Sequence, residues 1–410
     1  MLIITYSFPP LNNIAARRFG DISKYLEING WEPFILTTNS VGSLKIPLPE
    51  KKIIRVGTHP QRSSEIRKKI DDKNNLKSTA IKFKREAGFN SRLIDRTYFN
   101  WYKLIKNMDL DILRKQKFDM IIASFGPGAS LFAGNYLSEK LNVPWIADFR
   151  DLGALYKDNR FKKNSLFKNM DLAVERKLLK GASAITTVSN GLKEELVAYY
   201  DLPVHVIYNG WEKLSNKTNE KLKSKESPYI YYAGRFYEHR IDSLFMLIEC
   251  LVSGELSLKI RSLGPKELND KIMVFASEKG VSDKVELLAP ADSETVDKES
   301  GMATINLVVE DLDKDFMWKK GNLTGKFLSL LIKQPPILAI ARDDSEIGEI
   351  LRETKKGELC SNEEEIRIFL NNQDPLKNNP NEKRIEFYSK ERQAELLSGI
   401  LNNIITNKKE

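Results

Sequence analysis

Tyr229-Ile-Tyr-Tyr-Ala-Gly-Arg-Phe-Tyr-Glu-His-Arg240 is the stretch on which the fold turns. Tyr229 to Ala233 is an apolar, aromatic-rich run of strand length that stops at Gly234. An amphipathic segment, Ile241 to Val252, follows. Strand, glycine turn and helix make the opening unit of an open α/β sheet, whose ligands gather at the carboxyl ends of the strands. Arg235 and Arg240 stand at that end, beside a helix start. Guanidinium groups donate paired hydrogen bonds to phosphate oxygens, which makes Gly234, Arg235 and Arg240 candidates for holding a diphosphate. His239 lies between the two arginines and is a further candidate contact. An ordinary surface loop with solvated arginines is the competing reading.

The same rhythm runs outward in both directions. Toward the C-terminus, strands are expected at Ser257 to Leu263, Lys284 to Leu288, Thr304 to Val309 and Pro336 to Ile340, with helices at Lys271 to Lys279 and Gly325 to Ile332. Lys383 to Ile405 reads as one long amphipathic helix. Toward the N-terminus, strands are expected at Ile3 to Tyr6, Glu32 to Thr37, Asp119 to Ser124, Val143 to Asp148, Ala182 to Val188 and Val204 to Tyr208. Helices are expected at Ala15 to Asn29, Gly128 to Leu141 and Asn190 to Tyr199. Short apolar strands alternating with helices predict parallel, doubly wound sheets. Residues 213–227 (KLSNKTNEKLKSKES) break the rhythm and read as a polar linker. The expected organisation is therefore an N-terminal Rossmann-like domain over 1–212, the linker, and a second Rossmann-like domain over 228–382.

A chain of 410 residues exceeds what one core usually organises. No apolar run reaches the roughly 18–20 residues of a membrane span. The opening MLIITYSFPP has no basic lead and reads as a buried strand rather than a signal peptide. Cys250 and Cys360 are too few for a disulfide framework or a zinc motif and fit a reducing compartment. The formal net charge of +9 suits phosphorylated substrates, anionic lipid or nucleic acid. No aromatic–basic nucleic-acid motif accompanies it, and nucleic acid is not an expected partner.

A second anion candidate is Asn322-Leu-Thr-Gly-Lys326, leading into an apolar helix. Asn322 or Thr324 would cap the helix, Gly325 would admit a ligand to the backbone, and the helix dipole with Lys326 would favour an anion. The spacing is not that of a P-loop. A capped, buried helix is the equal alternative.

With these segments in order, the chain resembles GT-B glycosyltransferases of family 4, in the bacterial surface-polysaccharide branch. The resemblance rests on the AGR-containing strand, the later GK helix followed by Pro336-Ile337-Leu338, and four N-terminal segments. These are Tyr6-Ser-Phe-Pro-Pro10, Pro144-Trp-Ile-Ala-Asp-Phe-Arg-Asp151, Thr187-Val-Ser-Asn-Gly191 and Val206-Ile-Tyr-Asn-Gly210. It implies two Rossmann-like domains facing a cleft, with the 383–410 helix returning to the first. It implies a nucleotide-sugar donor, a UDP- or GDP-sugar taken as substrate, and no further cofactor or metal. The transfer it implies retains anomeric configuration and delivers the sugar to a glycan or lipid-linked acceptor in the cytoplasm. It assigns Arg235, Arg240 and Lys326 to the donor diphosphate and places Gly264 and Leu288-Ala289-Pro290 near the nucleobase.

The sequence departs from that family at two places. Gly321 and Ser329 stand where paired glutamates are usual, and a serine makes only a neutral hydrogen bond to a ribose hydroxyl. Asn12-Asn-Ile-Ala-Ala16 replaces a glycine-rich loop. A degenerate GT-B protein that binds nucleotide or scaffolds a complex is the alternative these departures raise.

Asp148, Arg150 and Asp151 follow a strand end and are the candidate catalytic residues, with a local Asp–Arg pair as the competing reading. Residues 62–85 carry nine Lys/Arg against three Asp/Glu with interspersed aliphatics, a composition that suits an anionic membrane surface. Asp311-Leu-Asp313 is a superficial metal-like motif, and His59 and His205 are expected to be structural.

Overall fold

Parallel strands covered by helices on both faces need apolar residues on both sides, and the strands Leu2–Thr5, Ile121–Ser124 and Ile337–Ile340 are buried at every position. The computed structural model describes residues 1–59, 93, 96–155, 165–212, 227–262, 264–313, 320–372 and 379–409. The basic 62–85 stretch and nearly all of the expected linker 213–227 lie outside the described residues.

The chain divides into two units, Met1–Asn209 with Lys390–Glu410, and Gly210–Ser389. In the first, the order is β1 (Leu2–Thr5), α1 (Ile14–Ile28), β2 (Phe34–Asn39), β3 (Ile53–Thr58), α2 (Arg96–Lys106), α3 (Asp111–Arg114), β4 (Ile121–Ser124), α4 (Ala129–Leu141), β5 (Trp145–Phe149), α5 (Ser165–Leu179), β6 (Ala184–Thr187), α6 (Asn190–Val197) and β7 (Val204–Val206). The second runs β8 (Tyr229–Gly234), α7 (Ile241–Cys250), β9 (Ser257–Ser262), α8 (Lys266–Glu278), β10 (Val285–Leu288), α9 (Ser293–Met302), β11 (Ile305–Val309), α10 (Phe327–Leu330), β12 (Ile337–Ile340), α11 (Glu346–Thr354), β13 (Gly357–Cys360), α12 (Glu363–Asn371) and α13 (Glu382–Phe387). The last helix, α14 (Lys390–Lys409), belongs to the first unit.

Each sheet is parallel and doubly wound. The first has order β3-β2-β1-β4-β5-β6-β7 and the second β10-β9-β8-β11-β12-β13. The direction of winding reverses between β1 and β4 in one and between β8 and β11 in the other. Such switch points open a crevice at the strands' carboxyl ends.

Two expectations change. The expected 383–405 helix is two helices, because Tyr388 and Ser389 leave the helical path to pair with Trp211. The Trp211 amide donates to Tyr388 O at 2.9 Å, and its indole donates to Ile385 O at 2.8 Å. Trp211 and α13 therefore sit in the second unit, and the N-terminal segment of the first ends at Asn209 rather than at 212. The helix expected from Lys271 starts at Lys266, directly after Pro265.

The apolar stripe of α14 completes the first core. Ala394, Leu397 and Leu401 pack with Phe19, Ile22 and Leu26 of α1 and with the strands behind them. Lys390 Nζ adds an ion pair to Asp21 at 2.6 Å. Gly134 lets α4 approach the sheet, since a Cβ there would lie 2.5 Å from Ala123 Cβ.

Candidate functional site

The switch point of the second sheet gathers most of the candidate phosphate-binding residues. After β8 the chain exposes Arg235, buries Phe236 in the second core, and exposes Tyr237, Glu238 and His239 before Arg240 turns inward. Tyr237 is the centre of this loop. Arg235 Cζ lies 5.5 Å from its ring centroid, Arg240 Cζ lies 5.3 Å away, and the His239 ring stacks on it at 5.5 Å. Cations over an aromatic face are held by the ring quadrupole. Tyr237 is not marked by any motif, although an aromatic set between two arginines is a readable signal.

The two arginines do not play equal parts. Arg235 is open to solvent. Arg240 is only 8% exposed, and its Nη2 pairs with Glu310 Oε2 at 2.7 Å. The expected pair of phosphate arginines thus becomes one open guanidinium and one committed to an internal carboxylate. Glu310, at the end of β11, was not foreseen. Its partners lie far apart in sequence, and only the strand order brings them together.

The segment expected to be a capped anion-binding helix is different as well. The helix is the four-residue α10, and Lys326 occupies its cap position with no side-chain cap bond. Asn322 donates to Glu310 Oε2 at 3.1 Å instead of capping, and the Thr324 carbonyl accepts from the Phe327 amide at 3.1 Å. One turn sums little dipole. Gly325 and Lys326 lie at the surface, and desolvation holds the Lys326 ammonium below the ordinary lysine range. The Ser329 hydroxyl donates back to Lys326 O at 2.6 Å, and Gly321 is buried.

The loops after β9 and β10 border the same crevice edge. Gly264 donates its amide to Ser262 Oγ at 2.9 Å, and a Cβ on it would sit 3.4 Å from Phe236 Cβ. Pro290 is exposed, and the Ala289 carbonyl beside it accepts from Arg261, which also pairs with Glu299. A Cβ on Gly234 would press on the Tyr232 hydroxyl at 3.2 Å, so space rather than backbone angle suits glycine there. Beside these loops lies a recess of about 350 Å³, bounded by Arg235, Tyr237, Glu238, Pro265, Leu268 and Lys271. In the Asp311–Asp313 turn the Asp313 amide donates to Asp311 Oδ1 at 2.9 Å, and the Asp313 carbonyl accepts from Arg342 Nη1 at 3.3 Å. Among the described residues no cluster of three or more His, Cys, Asp or Glu has metal-binding geometry.

In the first unit the three candidate catalytic residues separate. Asp148 on β5 is fully buried. Its Oδ1 accepts from Arg18 Nη2 at 2.8 Å and Thr186 Oγ1 at 2.9 Å, and its Oδ2 accepts from Ser124 Oγ at 2.8 Å. Burial opposes ionisation, but the Arg18 charge and these hydrogen bonds outweigh it and hold the carboxyl below the usual aspartate range. Enclosed in this way, Asp148 is buried among its own partners rather than exposed, which agrees with the competing reading of a structural Asp–Arg pair, although the arginine is Arg18 and not the neighbouring Arg150. Its partner is Arg18 of α1, which also donates to Ile207 O at 2.6 Å and ties the end of β7 into the sheet.

Arg150 is likewise a pin. Its Nε and Nη2 donate to Phe125 O at 3.2 and 3.0 Å, and Nη2 also to Gly126 O at 3.2 Å. Burial lowers its affinity for the proton. Asp151 is exposed, on a loop that Glu175 fixes by accepting from the Ala154 amide at 3.1 Å and from the Tyr200 hydroxyl. Among the described residues no helix is long and apolar enough to cross a membrane.

Comparison with known proteins agrees with this architecture. Residues 15–212 match the model of Glycosyltransferase Family 4. No curated protein matches the sequence. Among solved structures, sucrose-phosphate synthase from Thermosynechococcus elongatus is 14% identical with a TM-score of 0.64, covering 99% of both chains. A glycosyltransferase from Rickettsia africae is 16% identical with a TM-score of 0.64, also covering 99% of both. Anabaena HepE, solved with UDP and glucose, is 11% identical with a TM-score of 0.55, covering 100% of this chain and 97% of that one. At these identities the likeness establishes the fold, which is GT-B.

Proposed function

We propose that this chain, a GT-B protein whose first half carries the Glycosyltransferase Family 4 signature, transfers a sugar from a nucleotide-sugar donor to a glycan or lipid-linked acceptor. The observation that carries the reading is the exposed Arg235 at the switch point of the second sheet, beside the recess of about 350 Å³. Arg235 and Lys326 supply positive charge to a diphosphate, and the recess between the loop after β8 and the start of α8 suits the nucleoside. Charge placed where the leaving diphosphate accumulates negative charge lowers the barrier to its departure. The Anabaena protein's complex with UDP and glucose supports a uridine-linked donor for this fold, with GDP-sugars as the other class.

Asp151 is the acceptor-side candidate of the first unit. It is the exposed acid of the 148–151 segment, and the Glu175 carboxylate holds its loop. A carboxylate so placed orients an acceptor hydroxyl by accepting its hydrogen bond. Asp148 and Arg150 shape that loop from within. Retention of configuration, metal independence and a role in surface polysaccharide assembly follow from the family resemblance. The basic composition of residues 62–85 supports a peripheral position at the inner face of an anionic membrane. Gly321 and Ser329 favour a second reading, a nucleotide-binding protein without turnover.

Incubation of the purified protein with UDP- and GDP-sugars, followed by product detection with and without glycan acceptors, tests the proposal. Transfer, or slow donor hydrolysis that Asp151→Asn reduces, supports it. A protein that consumes no donor under any of these conditions fits the second reading.

A further inference from the structure

We propose that Glu310 is a positioning residue for the diphosphate grip, setting two loops of the donor site from one buried carboxylate. The inference rests on the nucleotide-sugar reading above and deepens it.

Glu310 stands just beyond β11, and Arg235 and Arg240 stand just beyond β8, so the three occupy the two sides of the switch point. Its main chain is fixed on both sides. The amide donates to Ile340 O of β12 at 2.9 Å, and the carbonyl accepts from Ser243 Oγ of α7 at 2.8 Å. The side chain is thereby delivered to one place. There Oε2 takes Arg240 Nη2 at 2.7 Å and Asn322 Nδ2 at 3.1 Å. Arg240 ends the loop that carries Arg235, and Asn322 belongs to the loop that carries Lys326. A single oxygen atom therefore joins the two segments that present positive charge.

The arrangement accounts for two features left over from the sequence. Arg240 is turned inward because its charge is matched there, and it supports Tyr237, on whose ring the open Arg235 guanidinium lies. The loop from Gly321 to Lys326 carries no acidic residue of its own, yet it is tethered by a carboxylate that comes from the end of a neighbouring strand. A buried ion pair is weak support for stability but a strong constraint on geometry, because its partners tolerate few alternative placements. Glu310 itself touches no substrate in this account. Arg240 acts through Tyr237 and Arg235, and Asn322 acts through the Lys326 loop.

The test is a titration of the full-length protein with UDP, with GDP in parallel, and with uridine and guanosine as ligands that lack the diphosphate. Glu310→Gln keeps the shape and removes the charge. Asn322→Ala releases only the second loop and leaves no buried charge unpaired, so it remains informative if Glu310→Gln folds poorly. Loss of hydrogen bonds to a charged group predicts UDP binding weakened about tenfold in Glu310→Gln and several-fold in Asn322→Ala. Nucleoside binding should be unchanged in both. Equal weakening of nucleoside and nucleoside diphosphate would overturn the inference, since it would make Glu310 a general structural residue. So would diphosphate binding that ignores both substitutions while Arg235→Ala still weakens it, and that outcome leaves the donor reading intact. A wild-type protein that binds neither UDP nor GDP would sink the donor reading, and this inference with it.

Discussion

Replacing Asp148 with asparagine separates structure from chemistry in the first unit. The change keeps the side-chain shape but leaves Arg18 buried without its counter-charge, at a site where the carboxylate is fully enclosed. Breaking a buried ion pair from one side costs about 3–5 kcal/mol. In a unit of this size each kcal/mol shifts the midpoint by about 2–4 °C, which places the loss on the order of 10 °C. Differential scanning calorimetry reads it directly. The transition of the first unit should fall while that of the second stays within a degree or two. The pH dependence supplies a second signature. The folded carboxyl titrates below its unfolded value of about 3.9, so its contribution is present at neutral pH and is lost as the pH falls beneath about 4. Asp148→Asn should therefore show a shallower acid limb than the wild type. Asp151→Asn should lower the midpoint far less than Asp148→Asn and should lower turnover. An Asp148→Asn protein with a wild-type midpoint and abolished turnover would refute the assignment and return Asp148 to the chemistry.

Other consequences are open to direct measurement. Lys356 is 6% exposed, donates to Gln334 O at 3.1 Å, and is pushed down by burial to about 8. The folded state then binds fewer protons than the unfolded one between about pH 8 and the ordinary lysine value of 10.5, so stability should rise with pH across that window. The total is about 3 kcal/mol. Urea unfolding of wild type and Lys356→Met at several pH values checks this, and a difference between them that does not change with pH contradicts it. Leu401→Ala should destabilise the first unit by about 2–5 kcal/mol by opening a cavity between α14 and α1, measured by the same denaturation. Gly126 has φ of 114° with Arg150 Nη2 only 2.3 Å from where a Cβ would sit. Gly126→Ala should therefore lower the first unit's midpoint, and a neutral effect would argue against Arg150 as the pin of that loop.

Much of the fold was legible because parallel strands are short, apolar and regularly interrupted. The runs at Ile3-Ile4, Ile121-Ile122 and Ile337-Leu338 mark strands that are buried on both faces and readable one at a time. The break between α13 and α14 was not readable, because the helical period continues across Tyr388 and Ser389 and only pairing with Trp211 interrupts it. The candidate site was legible in the same partial way. Arg235 follows a glycine at a strand end, a local signal, and its exposure agrees with that signal. Arg240 looked equivalent because spacing carries no information about Glu310. Asp148 looked catalytic for a similar reason, since its partner Arg18 lies 130 residues away and local sequence shows only the neighbouring Arg150. Charged residues at strand ends are easy to find in a sequence. Which of them are already neutralised by the fold is settled by strand order.

The claim that the second unit holds a diphosphate through Arg235 is tested most directly by calorimetric titration of wild type and Arg235→Ala with UDP and GDP. Saturable binding of at least one of them by the wild type, weakened about tenfold or more in Arg235→Ala with uridine or guanosine binding unchanged, is the predicted result. Equal affinity of the two proteins for the nucleoside diphosphate would contradict it.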